Sequence, residues 1–144
     1  MTIDAVNPNP DDKTLAALLS AHRVYPTAQR LMVARILFAR HQHATADGLL
    51  HALHAAGQRV SKATVYNTLA RFVEAGLLRE VIVDNQHTFY DSNTRPHHHF
   101  YNLDSGELTD VNIATPLAVR DHDLPAGTTL DSVDIVIRIR NAAG

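Results

Sequence analysis

The chain has 144 residues, 45% of them hydrophobic, no cysteine, and a formal net charge of −2. That composition describes an ordinary soluble globular chain of one domain or two small ones, and it excludes disulfides and thiolate zinc sites. Charge breaks the apolar stretches well before the ~18 residues of a membrane span, so no membrane partner is expected.

The net charge hides a strong asymmetry. Nine basic residues (Lys13, Arg23, Arg30, Arg35, Arg40, Arg59, Lys62, Arg71 and Arg79) face only Asp47 and Glu74 between positions 13 and 79. After Arg79, ten acids face four arginines. A basic first half and an acidic second half suggest two jobs, one surface for phosphates and another for cations.

Residues 1–12, "MTIDAVNPNPDD", are acidic and proline-bearing and read as a frayed tail, not a leader. The simplest expected location is the cytoplasm. Thr14 to Ala21 reads as a short apolar helix. In "YPTAQRLMVARILFARH", Thr27 is an N-cap and Leu31, Ala34, Ile36, Leu37 and Phe38 make an apolar face of helical period. "TADGLLHALHAAG" is a third helix, capped by Thr45 and stopped by Gly57. "SKATVYNTLARFVEAG" is a fourth, from Ser61 to Gly76, with Val65, Leu69, Phe72 and Val73 as its buried stripe. The period then changes to two in "LLREVIVDNQHTFYD", a hairpin turning at Asp84-Asn85.

Helices, a turn, a further helix and a hairpin follow each other in the order of a winged helix-turn-helix over residues 13–90. The fourth helix has Lys62, Thr64, Tyr66, Asn67 and Arg71 to spare from its core stripe. Such side chains can touch both phosphates and base edges, which makes double-stranded DNA the expected partner. A solvated helix surface is the plainer reading of the same residues.

Residues 91–144 change character. "HHHFYNLDSGELTDVNI" reads as strand, turn at Asp104-Ser105-Gly106, and strand. "TPLAVRDH" is a short helix capped by Thr115, and "LDSVDIVIRIR" a strand with Val133, Ile135, Ile137 and Ile139 on one face. Three strands and one helix hardly make a core alone, so a two-fold homodimer is expected. The fold class is α+β: a winged helix followed by a small α/β dimerisation domain.

Within that second segment, "RPHHHF" places His97 and His99 at i and i+2, so on a strand both imidazoles point to one side and His98 to the other. His51 and His54 lie at i and i+3 on a helix with no acid at a matching offset, and read as surface residues. His22, His41, His87 and His122 also read as solvated. A hydrolase is the rival class, yet no glycine-rich cradle, serine elbow or H-E-x-x-H is present.

"SKATVYNTLARFVEAGLL", then "YDSNTRPHHH" and "DSGELTDV", resemble the ferric uptake regulator family of bacterial metal-dependent transcription factors, over about Arg23 to Arg140. The "HHHF" run and the tail "VDIVIRIR" are most similar to its iron response regulator branch, some members of which sense haem. The resemblance implies a DNA-binding homodimer on a palindromic operator, mostly a repressor of iron or oxidative-stress genes, with a regulatory metal at the hinge. It assigns the ligands to His43, Asp91, His97, His99 and Asp110, a three-histidine, two-aspartate set like that of peroxide-sensing members. Such a set suits one divalent metal per subunit, Fe²⁺ or Mn²⁺ with Zn²⁺ also accepted. It further implies haem at the triplet as an alternative, with His98 as its candidate or as a second-site ligand.

The departures from the family pattern are informative. Asn102 and Ser105 stand where relatives with a structural zinc carry their first C-x-x-C pair, and the second pair is gone. No structural cysteine zinc is therefore expected. Pro96 replaces a further histidine, and Tyr25 replaces a basic residue that enters the minor groove, with Arg23 nearby.

Overall fold

The computed structural model describes residues 10–113 and 119–143. The chain forms two compact units that divide between Thr94 and Arg95.

The first unit has four helices and a small sheet, in the order α1 (Asp12–Ala21), α2 (Ala28–Leu37), the short strand β1 (His43–Ala44), α3 (Ala46–Ala55), α4 (Lys62–Glu74), β2 (Arg79–Ile82) and β3 (Thr88–Asp91). Each helix begins where a side-chain oxygen takes an otherwise orphaned backbone N–H. Asp11 accepts from Thr14 N at 2.7 Å, Thr27 from Arg30 N at 3.3 Å, Thr45 from Gly48 N at 3.0 Å and Ser61 from Thr64 N at 3.1 Å. The expected caps at Thr27, Thr45 and Ser61 are thus present; α1 starts earlier than expected because Asp11 and Asp12 favour a helix N-terminus. Gly57 and Gly76 follow the ends of α3 and α4 at φ 78° and 79°, the left-handed conformation that closes a helix.

The core of this unit joins Leu15, Leu19, Val33, Leu37, Leu53, Val65, Leu69, Phe72 and Leu77, all essentially inaccessible. Phe38 packs on Phe72 with ring centroids 6.1 Å apart. Each such side chain contributes about 1.5–3 kcal/mol relative to exposure.

The sheet order is β1-β3-β2, all antiparallel, and the register sets His43 of β1 opposite Asp91 of β3. The hairpin differs from the expected two-residue turn. Its loop spans residues 83–87, because Val83 N donates to the His87 carbonyl at 2.9 Å while the Asp84 carboxylate accepts from the amides of Gln86 and His87. An aspartate side chain here does the work that a tight backbone turn would otherwise do.

The second unit is a three-stranded sheet of order β5-β4-β6, with β4 (His98–Asn102), β5 (Leu108–Val111) and β6 (Val136–Ile139). β4 pairs antiparallel with β5 and parallel with β6. Tyr101 and Leu108 pair across β4 and β5 and are buried together with His98 and His99. The turn between β4 and β5 forms as expected, with Gly106 at φ 74°.

Two expectations need revising. The strand expected over 130–140 is confined to Val136–Ile139, and Ile139 is 37% exposed. Residues 133–135 do not form a strand, although the Ile135 carbonyl still accepts from His99 N at 3.1 Å. Half of the helix expected at 115–122, residues 115–118, lies outside the described part; residues 119 and 120 are not helical, and a single 3-10 turn follows at Asp121–Asp123.

Candidate functional site

Each unit carries the same small arrangement, two histidines at i and i+2 beside one aspartate. In the first unit they are His41, His43 and Asp91. Strand pairing of β1 with β3 brings His43 to Asp91, where its Nε2 lies 3.1 Å from Oδ2. His41, just before β1, places its Nε2 3.1 Å from the other oxygen, Oδ1. Asn93 N also donates to Oδ1, at 2.9 Å. The Asp91 side chain is fully buried, and such a carboxylate stays only where donors or a cation satisfy it.

In the second unit the residues are His97, His99 and Asp110. The register sets His99 of β4 opposite Asp110 of β5. Asp110 Oδ1 lies 3.0 Å from His97 Nε2 and 3.3 Å from His99 Nε2, and the two imidazole centroids are 4.4 Å apart. His97 and His99 therefore share one side, as alternation along an extended chain requires. His97 Nδ1 lies 2.6 Å from the Arg95 carbonyl oxygen. A carbonyl only accepts, so Nδ1 carries a hydrogen, and a cation would take Nε2, the nitrogen that faces Asp110.

These spacings suit a metal. Bonds of about 2.1 Å at right angles put neighbouring ligand atoms about 3 Å apart, which matches His43 with Asp91 and His97 and His99 with Asp110. Donor atoms of His97, His99 and Asp110 all lie within 4.8 Å of one another. Imidazole nitrogen and carboxylate oxygen suit Fe²⁺, Mn²⁺ and Zn²⁺, and each unit supplies fewer donors than those ions commonly take.

His98 points the other way, as expected, and is 4% exposed. Its Nδ1 faces the Ile135 amide at 3.3 Å and accepts from it, so the ring is part of the strand packing.

The residues expected on DNA lie on or near α4. Lys62, Tyr66 and Asn67 are exposed and Thr64 half-buried on one face, while Val65, Thr68, Leu69 and Phe72 fill the other. Lys62 Nζ sits 3.5 Å from Asp47 and 5.9 Å from the Tyr66 ring centroid. Arg71 turns elsewhere: its Nη2 donates to the Arg23 carbonyl at 2.7 Å. Tyr25 is 77% exposed beside Arg23.

One residue was misread. His41 is not merely solvated but in contact with Asp91. The signal was available, since "HQH" repeats the i, i+2 spacing of His97 and His99.

Comparison with known proteins agrees with this picture. Residues 22–137 match the profile of the Ferric uptake regulator family. The peroxide-responsive repressor PerR of Staphylococcus epidermidis is 32% identical over 101 residues, 70% of this chain and 67% of that protein. PerR of Staphylococcus aureus strain USA300 is 32% identical over 99 residues, 69% of this chain and 66% of that protein. The chain thus spans about two thirds of the length of these relatives. Its fold is that of the ferric uptake regulator of Pseudomonas aeruginosa solved with manganese (TM-score 0.66, 24% identity, 90% of this chain and 98% of that one). The regulator of Francisella tularensis solved with iron is similar (TM-score 0.67, 20% identity, 80% and 89%).

Proposed function

The chain belongs to the ferric uptake regulator family, a family of metal-responsive transcriptional regulators rather than enzymes, and from that premise we propose that it is a DNA-binding repressor whose affinity for its operator is set by one divalent metal per subunit. His43 and Asp91 of the first unit and His97, His99 and Asp110 of the second would hold that metal together, so that it ties the DNA-binding unit to the dimerisation unit. When bound, the ion supplies positive charge that neutralises the two aspartates and fixes the three imidazoles. The protein's own groups do the rest: strand pairing sets His43 against Asp91 and His99 against Asp110, and the Arg95 carbonyl fixes the tautomer of His97. A tie between the units favours one spacing of the two recognition helices in a dimer, and with it one spacing of operator half-sites.

The observation that carries this reading is the repeated histidine-aspartate arrangement, with donor spacings that suit a first-row metal in each unit. The homodimer is supported by Ile113, Val119, Leu130 and Ile139 of the second unit, apolar side chains at 37–51% exposure that a second copy would cover. DNA binding is supported by the exposed Lys62, Tyr66 and Asn67 of α4 and by the basic first half. Among the described residues no helix is long and apolar enough to cross a membrane.

A gel-shift series on a candidate promoter tests the reading, with metal-free protein, Mn²⁺, Fe²⁺ and Zn²⁺ in separate lanes. Metal should strengthen the shift, and His97→Ala with His99→Ala should remove that effect. Identical shifts in all lanes would refute it.

The peroxide-responsive relatives and the two aspartates favour a finer version, in which Fe²⁺-loaded protein is oxidised by hydrogen peroxide. Mass spectrometry should then find one added oxygen atom on His43 or His97 after peroxide with Fe²⁺, and none with Mn²⁺. The iron response regulator branch remains the reading of the "HHHF" run and the C-terminal tail.

A further inference from the structure

Asp91 is asymmetric. Its Oδ2 faces His43 Nε2 at 3.1 Å, whereas its Oδ1 faces His41 Nε2 at 3.1 Å and the Asn93 amide at 2.9 Å. A carboxylate only accepts, so without a metal both His41 and His43 turn an N–H toward Asp91; a metal on Oδ2 would displace the hydrogen of His43 and leave that of His41. Oδ1 therefore receives two N–H donors, while Oδ2 shares its space with an imidazole nitrogen at the separation of neighbouring ligands on one ion. The rings of His41 and His43 meet edge to face, with centroids 5.4 Å apart.

We propose that His41 is a positioning residue for the metal site: with the Asn93 amide it occupies Oδ1 of Asp91, so that Asp91 binds metal through Oδ2 alone. This rests on the metal-site reading above. Its physical basis is general, since an N–H donor on the outer oxygen fixes the plane of a ligand carboxylate and disfavours bidentate binding, and such partners tune metal affinity. The His41 side chain is 39% exposed, so its removal leaves no cavity in a packed core. Asp91 is wholly buried and has little solvent to replace that donor.

Co²⁺ titration of the full-length chain followed by visible absorption tests this. His41→Ala should weaken Co²⁺ binding about 10- to 100-fold and change the intensity of the d–d bands as the freed Oδ1 joins the coordination sphere. His41→Gln, which restores a neutral N–H donor, should recover most of the affinity and the parent spectrum. Thermal unfolding of the metal-free variants accompanies each titration. Wild-type affinity and spectrum in His41→Ala would overturn the proposal, as would a Gln variant as weak as the Ala variant. His99→Ala provides the separate control. If it binds Co²⁺ as tightly as wild type, the metal-site reading itself falls; if it loses binding while His41→Ala does not, only the role of His41 falls.

Discussion

Arg71 Nη2 donates to the backbone carbonyl of Arg23 at 2.7 Å, and Arg23 is the one non-glycine residue of the described chain with a positive φ, 61°. The α1 helix ends there, with Val24 N returning to the Leu19 carbonyl at 2.9 Å. This closure usually takes glycine at the left-handed position. A residue of α4 thus fixes the chain that leads to Tyr25 and α2.

Arg71 is accordingly expected to act on structure as well as on DNA. Arg71→Ala should lower stability by about 1 kcal/mol and also weaken operator binding. Arg23→Gly separates the two effects. It should raise stability by about 0.5–1 kcal/mol by removing left-handed strain while still weakening DNA binding through the lost charge. Urea unfolding and gel shifts at two salt concentrations measure both. A destabilised Arg23→Gly would refute the strain argument.

A second prediction concerns the turn between β4 and β5. Asn102 Oδ1 accepts from the amides of Asp104 at 2.9 Å and Ser105 at 3.1 Å, and its Nδ2 donates to Asn141 Oδ1 at 2.8 Å. The Asp104 carboxylate accepts from Asn141 N at 2.8 Å and Arg140 Nη1 at 3.2 Å. Hydrogen bonds of Asn102 and Asp104 thus join the turn to the chain after β6. Asn102→Ala should cost about 1–2 kcal/mol, read by thermal unfolding, and a zinc chelator should leave the melting temperature unchanged in a variant whose proposed ligands His97, His99 and Asp110 are mutated. A chelator-sensitive melt in that background would show a structural metal.

The helices, their caps and the shared side of His97 and His99 were legible because each rests on local chemistry. A hydroxyl at Thr27, Thr45 or Ser61 caps whatever helix follows it, and strand alternation orients His97 and His99 without help from distant residues. What could not be read depends on pairing across the chain. The contact of His41 with Asp91 spans fifty positions and exists only because β1 pairs with β3. The shortened β6 has the same origin: "VDIVIRIR" alternates throughout, but the parallel ladder with β4 covers only Val136–Ile139, opposite His99 to Asn102. The diversion of Arg71 from the exposed face of α4 likewise needs the Arg23 carbonyl in place.

The hairpin loop carries a pH prediction. The Gln86 amide above all holds the Asp84 carboxyl below the usual carboxylate range; desolvation opposes it, and the His87 side chain and amide add to the lowering. A depressed folded-state value means that the carboxylate steadies the loop at neutral pH, and that this is lost as pH falls through the folded value. The Gln86 and His87 amide resonances should therefore shift on the acid side, below the ordinary aspartate range. Asp84→Ala should abolish that shift and speed exchange of both amides at neutral pH, while Lys62→Ala should do neither. An unchanged acid transition in Asp84→Ala would assign it to another group.

The histidine triplet offers the last test, because its members have different surroundings. His99 is buried with its Nε2 toward Asp110, whereas His98 is buried with its Nδ1 accepting from the Ile135 amide. His98→Phe keeps a flat ring in the same space but leaves that amide without its acceptor. It should lower stability by about 1–3 kcal/mol and leave Co²⁺ affinity near wild type. His99→Ala should do the reverse to metal binding, removing a ligand. The same pair decides the haem alternative. If haem binds through His98, haemin-treated wild type should keep a Soret band through gel filtration, and His98→Phe should lose it. The packing of His98 beside Ile135 instead predicts no retained band in either protein, since an iron-bound His98 would have to leave the interior and break its bond to the strand partner. A band that survives in wild type and disappears in His98→Phe would overturn that packing argument and make haem the ligand of the triplet.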